Sequence, residues 1–234
     1  MKNFWIKAWK ILKRIVLWFF ALSIFTVIIY KWINPPFTPL MIMRVIEQAF
    51  DQKRDVKMDK DWISIDEMAS CVPVAAVAAE DQQFEEHFGF DLDAIEKALE
   101  YNKTHKGKTV RGASTISQQV AKNVFLFPSR SYLRKGFEIY FTFLIEVFWS
   151  KKRILEMYLN IAEMGEGIYG IEAASQYYYK KSASKLTSRE VASIIAILPN
   201  PRVWSPTNPN TRVARKIRKV LLYMKYIDLK EVME

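Results

Sequence analysis

Glu80 begins a short stretch, EDQQFEEHFG, in which acidic side chains, a histidine and two phenylalanines precede a glycine. It follows the apolar run Val72–Ala79, whose small residues predict a buried segment. A carboxylate that emerges from such a run is poorly hydrated, and a poorly hydrated carboxylate can act as a general base near neutral pH. The structural alternative is a helix end with solvated charges and two core aromatic residues, which spacing alone favours.

A second dense stretch, RGASTISQQVAKN, combines small residues, amides and a cation. Thr115 and Gln118 fit a helix capping box, which would be a purely structural use of both residues. Capping does not account for Gln119, Lys122 and Asn123, which put amides and a cation along the same helix. A helix N-terminus followed by a lysine is suited to binding an anion.

Arg130, Arg134 and Lys135 follow within a few positions. Together with Lys122 they place four cations near acidic residues, a set that suits a diphosphate better than a single carboxylate. Arg134 and Glu138 are four positions apart, so an ordinary salt bridge within one helix is the alternative.

The elements that must position these side chains are mostly helical in period, with few glycines and no long alternating strand. The class is therefore mainly α. The predicted helices cover residues 40–50, 91–101, 137–148, 154–162 and 186–198. The charged run 51–61 is interpreted as a solvated loop. Residues 165–170 match G-x-G-x-x-G, but they follow a helical segment, so we predict a helix end and loop instead of a dinucleotide site.

The N-terminal part carries no charge between Ile15 and Tyr30. With the next three residues it reaches the roughly 20 residues that a membrane-spanning helix needs. The upstream lysines and Arg14 predict a cytoplasmic N-terminus. A signal peptide would need a small-residue cleavage site, which YKWINPP lacks. We therefore predict a single-pass anchor in the cytoplasmic (inner) membrane, with the catalytic part on the outer, periplasmic side. The predicted parts are a basic tail (1–14), the transmembrane helix (15–33), a juxtamembrane linker and helix (34–61) and the catalytic domain (62–234).

The formal charge of +10 is compatible with nucleic acid, an anionic membrane or a phosphorylated substrate. Half of this charge lies in the N-terminal tail, where it helps to set the orientation in the membrane. The net charge is therefore only weak evidence for nucleic-acid binding.

A single cysteine, Cys71, excludes an internal disulfide. His87 and His105 are too few for a metal cage. The basic residues 212–219 are interpreted mainly as a solvated helix face, ahead of lipid headgroup binding.

Several stretches resemble, in order, the signature motifs of the peptidoglycan glycosyltransferases. This family comprises the monofunctional biosynthetic enzymes and the glycosyltransferase half of class A penicillin-binding proteins. The motifs begin at Glu80 (EDQQF…HFG), Arg111 (RGASTISQQ…KN), Arg134 (RKGFE), Lys151 (KKRILEMYLN), Gly165 and Leu198. The resemblance covers roughly residues 65–206. With one N-terminal anchor and no transpeptidase domain, the chain resembles the monofunctional type.

The resemblance implies a lysozyme-like glycosyltransferase domain that polymerises lipid II with release of undecaprenyl diphosphate and inversion at the sugar carbon. It implies that Glu80 is the general base on the acceptor GlcNAc 4-hydroxyl and that Glu138 supports the diphosphate end. The cations Lys122, Arg130, Arg134 and Lys135 would neutralise the leaving diphosphate. The other substrate-binding candidates are Asp81, His87, Ser114, Thr115, Gln118, Gln119, Asn123 and Lys151. His87 is also expected to hold the Glu80 loop by hydrogen bonding.

No metal site made by the protein is expected, although Mg²⁺ or another divalent cation could accompany the diphosphate. The implied partners are lipid II, the nascent glycan strand, membrane lipid and other cell-wall synthesis proteins, and not nucleic acid. One alternative is a lysozyme-like muramidase or lytic transglycosylase, in which the glutamate acts as an acid. The four cations argue against it. The other alternative is a non-catalytic membrane scaffold, against which the intact Glu80 and Glu138 argue.

Overall fold

The computed structural model describes residues 2–51, 55–105, 111–129 and 131–233. The chain forms two compact units, Met1–Pro35 and Pro36–Glu234.

The first unit is built on one long helix, α1 (Lys2–Tyr30). By length and composition, its segment Phe4–Tyr30 is sufficient to cross a membrane. The helix begins inside the predicted basic tail and ends at Tyr30, before the last three residues of the predicted span. Pro35 and Pro36 follow shortly afterwards, and neither has the backbone N–H that a continuing helix would need.

The second unit is mainly α, as predicted. Its helices are α2 (Pro39–Phe50), α3 (Cys71–Glu80), α4 (Leu92–Thr104), α5 (Ile116–Phe125), α6 (Tyr132–Phe148), α7 (Lys151–Ile161), α8 (Ile171–Tyr179), α9 (Ser188–Ala196), α10 (Thr211–Tyr223) and α11 (Lys230–Met233). Short 3₁₀ turns occur at Ile65–Glu67, Ala183–Lys185 and Met224–Tyr226. Each helix predicted from periodicity is present, with ends shifted by a few residues.

A small sheet corrects two sequence predictions. Strands β1 (Asp59–Lys60), β2 (Glu163–Gly165) and β3 (Ile168–Tyr169) are ordered β1-β3-β2, with β1 parallel and β2 antiparallel to β3. The charged run 51–61, predicted to be a solvated loop, therefore contains a short strand. Residues 165–170, predicted to be a helix end and loop, belong to a β-hairpin. Gly167 has φ +67°, and a Cβ on it would lie 2.4 Å from the Lys57 carbonyl oxygen. Only glycine lets the two chain segments approach this closely.

Helix α7 lies at the centre of the core and packs against α3 and α5. Its side chains from Ile154 to Ile161 are buried except for Glu156, and burial of each large apolar side chain contributes about 1.5–3 kcal/mol. The buried amide of Asn160 is satisfied, because it donates to the Ile63 carbonyl and accepts from the Ile63 N–H, each at 2.9 Å. This packing brings the end of α3 next to the start of α5.

Candidate active site

Glu80 is the last residue of α3, at the end of a buried run of small residues. One carboxylate oxygen, Oε2, accepts a hydrogen bond from Gln119 Nε2 at 3.1 Å. The other, Oε1, lies 3.2 Å from Lys216 Nζ. The side chain is 16% exposed and borders a cavity of about 790 Å³, so the carboxylate is held from two sides while remaining reachable.

Lys216 is a candidate site residue that the sequence interpretation missed. The basic face of α10 was interpreted as solvated, which is wrong for Lys216 because its ammonium group contacts Glu80. The sequence contained only a weak indication of this contact. Lys216 is next to the buried Ile217 and one turn from the buried Val213 and Val220, a position at the edge of the buried face.

The loop after Glu80 is tied to the start of α5. The buried Asp81 accepts a hydrogen bond from the Ile116 backbone N–H at 2.9 Å, where the helix N-terminus favours a negative charge. Its other oxygen lies 2.9 Å from His87 Nε2. The prediction that His87 holds this loop is confirmed. Through these contacts Asp81 positions the loop, and because it also borders the Glu80 cavity the substrate contact predicted for it stays a prediction.

An ion pair between the partly exposed Lys151 and the buried Glu146 lies beneath the same loop. Lys151 Nζ donates to the His87 carbonyl oxygen at 2.7 Å and to Glu146 Oε1 at 3.0 Å, and it lies over the Phe84 ring. Glu146 also accepts a hydrogen bond from the Ser117 hydroxyl. Lys151 therefore supports the loop, and the substrate contact predicted for it stays a prediction. Sequence analysis did not select Glu146 or Ser117, because nothing local distinguishes them from ordinary helix residues.

The predicted capping box at the start of α5 is present. Thr115 Oγ1 accepts from the Gln118 N–H, and the Gln118 side chain accepts from the Thr115 N–H. Thr115 Oγ1 also donates to the Gly89 carbonyl at 2.7 Å. Both side chains are buried and take part in the cap, and the substrate contacts predicted for them stay predictions. Ser114 borders the Glu80 cavity.

Two of the predicted cations, Lys122 and Arg134, border a second cavity, of about 450 Å³, which Gln119 and Asn123 also line. Lys135 does not line this cavity and borders another one, together with Ser114 and Gln118. Burial lowers the pKa of Lys122, although Glu138 partly offsets this effect. Arg130 lies outside the described residues.

Glu138 holds two of the cations. Arg134 NH1 lies 2.6 Å from Glu138 Oε2, and Lys135 Nζ contacts Oε1. The salt bridge within α6, weighed as the alternative for Arg134 and Glu138, is therefore present. Arg134 also borders the cavity, so the ion pair with Glu138 orients the guanidinium group while Arg134 still lines the cavity.

Gln119 lines both cavities, so the Glu80 carboxylate and the cations Lys122 and Arg134 border neighbouring parts of one groove. Such an arrangement can remove a proton at one end and stabilise negative charge at the other. Tyr158 borders the cation cavity, and burial, together with Glu80 and Asp81, raises its pKa well above the ordinary value. Its hydroxyl therefore remains neutral.

No cluster of three or more histidine, cysteine, aspartate or glutamate side chains that could hold a metal ion occurs in the part of the chain that the structure describes.

Known proteins are similar in sequence to most of this chain. The profile of the transglycosylase family matches residues 46–225. A biosynthetic peptidoglycan transglycosylase of Pseudomonas syringae pv. syringae (strain B728a) is 47% identical over 210 residues, which cover 88% of each chain. The protein of the same name from Bdellovibrio bacteriovorus is 48% identical over 221 residues, which cover 94% of this chain and 87% of the relative. That of Pseudomonas fluorescens (strain SBW25) is 46% identical over 203 residues, which cover 87% and 83%.

Proposed function

The chain belongs to the transglycosylase family and is a glycosyltransferase of peptidoglycan synthesis, and we propose that it polymerises lipid II into glycan strands. In this reaction the acceptor's GlcNAc 4-hydroxyl attacks C1 of the donor MurNAc. The new β-1,4 C1–O bond forms with inversion as the bond to undecaprenyl diphosphate breaks. No enzyme nucleophile is required for a single displacement.

Glu80 is the general base of the proposed reaction and takes the proton of the attacking hydroxyl. Its contacts with Gln119 and Lys216 fix the carboxylate relative to the groove, which supports this role. Fixing the base before substrate binds lowers the entropic cost of reaching the reactive geometry.

Lys122 and Arg134 stabilise the charge that develops on the leaving diphosphate, and Glu138 keeps Arg134 and Lys135 in orientation. Arg130 belongs to the same proposed group on the resemblance alone. Mg²⁺ or another divalent cation shared with the diphosphate also remains a proposal, since oxygen ligands on the phosphates would need few from the protein.

The polyprenyl part of such a substrate remains in a bilayer, so the enzyme must act at a membrane surface. The long apolar α1 supports a single-pass anchor. The basic residues around its start favour a cytoplasmic N-terminus, with the second unit on the outer, periplasmic side. Membrane lipid and other cell-wall synthesis proteins are the expected partners.

The proposal depends on one observation, the shared groove. Glu80 borders one cavity of this groove, and Lys122 and Arg134 border the neighbouring cavity. A hydrolase of the lysozyme type has no need of a cation cluster beside its glutamate.

The test is incubation of the purified full-length protein with labelled lipid II, followed by gel separation of the glycan. We expect a ladder of lengthening chains that is lost in Glu80→Gln and retained in Glu86→Gln, an exposed glutamate of the same loop. Shortening of preformed glycan without a ladder would indicate the hydrolase instead. Absence of both activities, with lipid and divalent cation varied, would indicate the scaffold.

A further inference from the structure

A third cavity, of about 420 Å³, lies on the α10 side of Glu80. We call it the α10 cavity. Arg212, Arg215, Lys216 and Lys219 line it together with Trp204. It shares Lys216 and Lys219 with the cavity that Glu80 borders, so the two cavities are neighbours.

The four cations of the α10 cavity lie on one face of a single helix. Their spacing of three and four residues makes them neighbours, and like charges at that spacing repel one another. No acidic residue lines the cavity. Within the described ranges, no carboxylate lies at ion-pair distance from Arg212, Arg215 or Lys219, and Lys216 pairs only with Glu80. The cavity therefore carries an uncompensated positive charge.

Aromatic rings hold two of these cations in place. Arg212 lies over the Trp204 ring at 5.7 Å from its centroid, and Lys219 over the Tyr223 ring at 5.2 Å. Contact with a ring face stabilises a cation without cancelling its charge. Arg212 and Lys219 are thus oriented, and an anion that enters would meet these two cations without first ordering free side chains.

The alternative is a solvated basic face, and α10 offers an internal comparison. Arg218 is on the same helix, is exposed and lines neither neighbouring cavity. Arg212 and Arg215 are exposed as well, and they differ from Arg218 because they border a concave space beside the candidate base.

We propose that the α10 cavity binds an anionic group of the acceptor substrate, either a carboxylate or a phosphate. The inference rests on the proposed function, in which Glu80 receives the proton of the acceptor hydroxyl. Lys216 touches Glu80, and Arg212 and Lys219 lie about one helical turn away, roughly 5–6 Å along the axis. An acceptor whose hydroxyl reaches Glu80 can therefore place a nearby anionic group among these cations. Lipid II carries two such groups, the carboxylates of its stem peptide and its diphosphate.

The test compares the double variant Arg212→Gln/Arg215→Gln with the matched double variant Arg218→Gln/Lys225→Gln. The control removes the same charge from exposed positions outside the cavity. Binding to the full-length protein in detergent is measured with two soluble probes. One is a disaccharide–pentapeptide without diphosphate, and the other is a disaccharide diphosphate without peptide. The thermal unfolding temperature of each variant confirms that it is folded.

We expect the Arg212/Arg215 variant to bind at least one probe about tenfold more weakly, because two charge-assisted contacts are lost. The control should bind both probes as the wild type does. Loss confined to the peptide probe identifies the carboxylates as the ligand, and loss confined to the other probe identifies the diphosphate. Unchanged binding of both probes would overturn the proposal, and so would an equal loss in the control. Binding requires no turnover, so a wild-type protein that binds but polymerises nothing would refute the proposed function and leave the anion site standing.

Discussion

Lys216 Nζ lies 3.2 Å from Glu80 Oε1, so two residues 136 positions apart form an ion pair at the edge of the candidate groove. Gln119 contacts the other oxygen of the same carboxylate. The candidate base is therefore oriented by α5 on one side and α10 on the other, although neither helix lies close to it in sequence.

Replacement of Lys216 by methionine should lower kcat/KM for polymerisation by about tenfold, since Glu80 loses one of its two orienting contacts. The thermal unfolding temperature should change little, because the pair is partly exposed and such pairs contribute about 0–1 kcal/mol. Steady-state kinetics with labelled lipid II measures the effect, with Lys225→Gln as the control. Wild-type kinetics in Lys216→Met would mean that the ion pair has no part in catalysis.

The alkaline limit of activity should depend on Lys122, because burial lowers its pKa from the ordinary lysine value of 10.5. A lysine with a lowered pKa loses its charge earlier as pH rises, and the leaving diphosphate then loses a stabilising cation. In Lys122→Arg the charge persists, so the alkaline limb of kcat/KM should move to higher pH.

The pH profile of kcat/KM, which reports the free enzyme, is the measurement. Lys103→Arg, an exposed position on α4, is the control and should leave the limb unchanged. An alkaline limb at the same pH in Lys122→Arg and wild type would assign that titration to another group.

The pair of Lys151 and Glu146 should contribute separately to stability and to catalysis. Lys151→Met leaves a buried carboxylate without its cation, which we expect to lower the free energy of unfolding by about 3–5 kcal/mol. The double variant Lys151→Met/Glu146→Gln removes the unpaired charge and should recover much of that loss. It should not recover kcat, because the His87 carbonyl still lacks its donor and the Glu80 loop is less well held.

Chemical denaturation and lipid II kinetics on the same three proteins distinguish these effects. Full recovery of kcat in the double variant would mean that Lys151 stabilises the domain without positioning the loop.

Gly89 should not tolerate a side chain. Its φ is +76°, and a Cβ would lie 2.7 Å from Thr142 Cγ2 and 2.9 Å from Glu146 Cγ. Gly89→Ala should therefore lower the free energy of unfolding by about 1–3 kcal/mol and reduce activity. Gly136→Ala is the matched control. It lies within α6 with open space around it, so alanine there should raise stability by about 0.5–1 kcal/mol. Equal stability of the two variants would contradict the assigned strain at Gly89.

Much of the candidate site could be predicted because its signals are local. Thr115 and Gln118 form the expected capping box, and His87 holds the loop as expected. Both relationships join residues a few positions apart, where chain geometry leaves few alternatives. The helical class and the positions of the main helices followed from apolar periodicity for the same reason.

Other predictions failed where the partner is distant in sequence. Strand β1 is only Asp59–Lys60, and its pairing with β3 depends on the close approach that Gly167 permits. No pattern of neighbouring residues in the sequence predicts that these two segments approach each other. The contact of Lys151 with the His87 carbonyl was not predicted either, because a lysine beside a groove and a lysine beneath a loop have the same sequence signature.

The sequence by itself determined the apolar N-terminal helix and the mainly helical class, which depend on local composition and on spacing within single helices. The order of the motifs, and with it the choice of Glu80 as candidate base, followed from their resemblance to the glycosyltransferase family. Only the tertiary structure decided that Lys216 faces Glu80, that Lys151 supports the loop and that the cations of α10 line a cavity. The physical reason is that an amphipathic helix specifies which of its faces is buried, whereas the neighbours of its polar edge are set by the packing of distant elements.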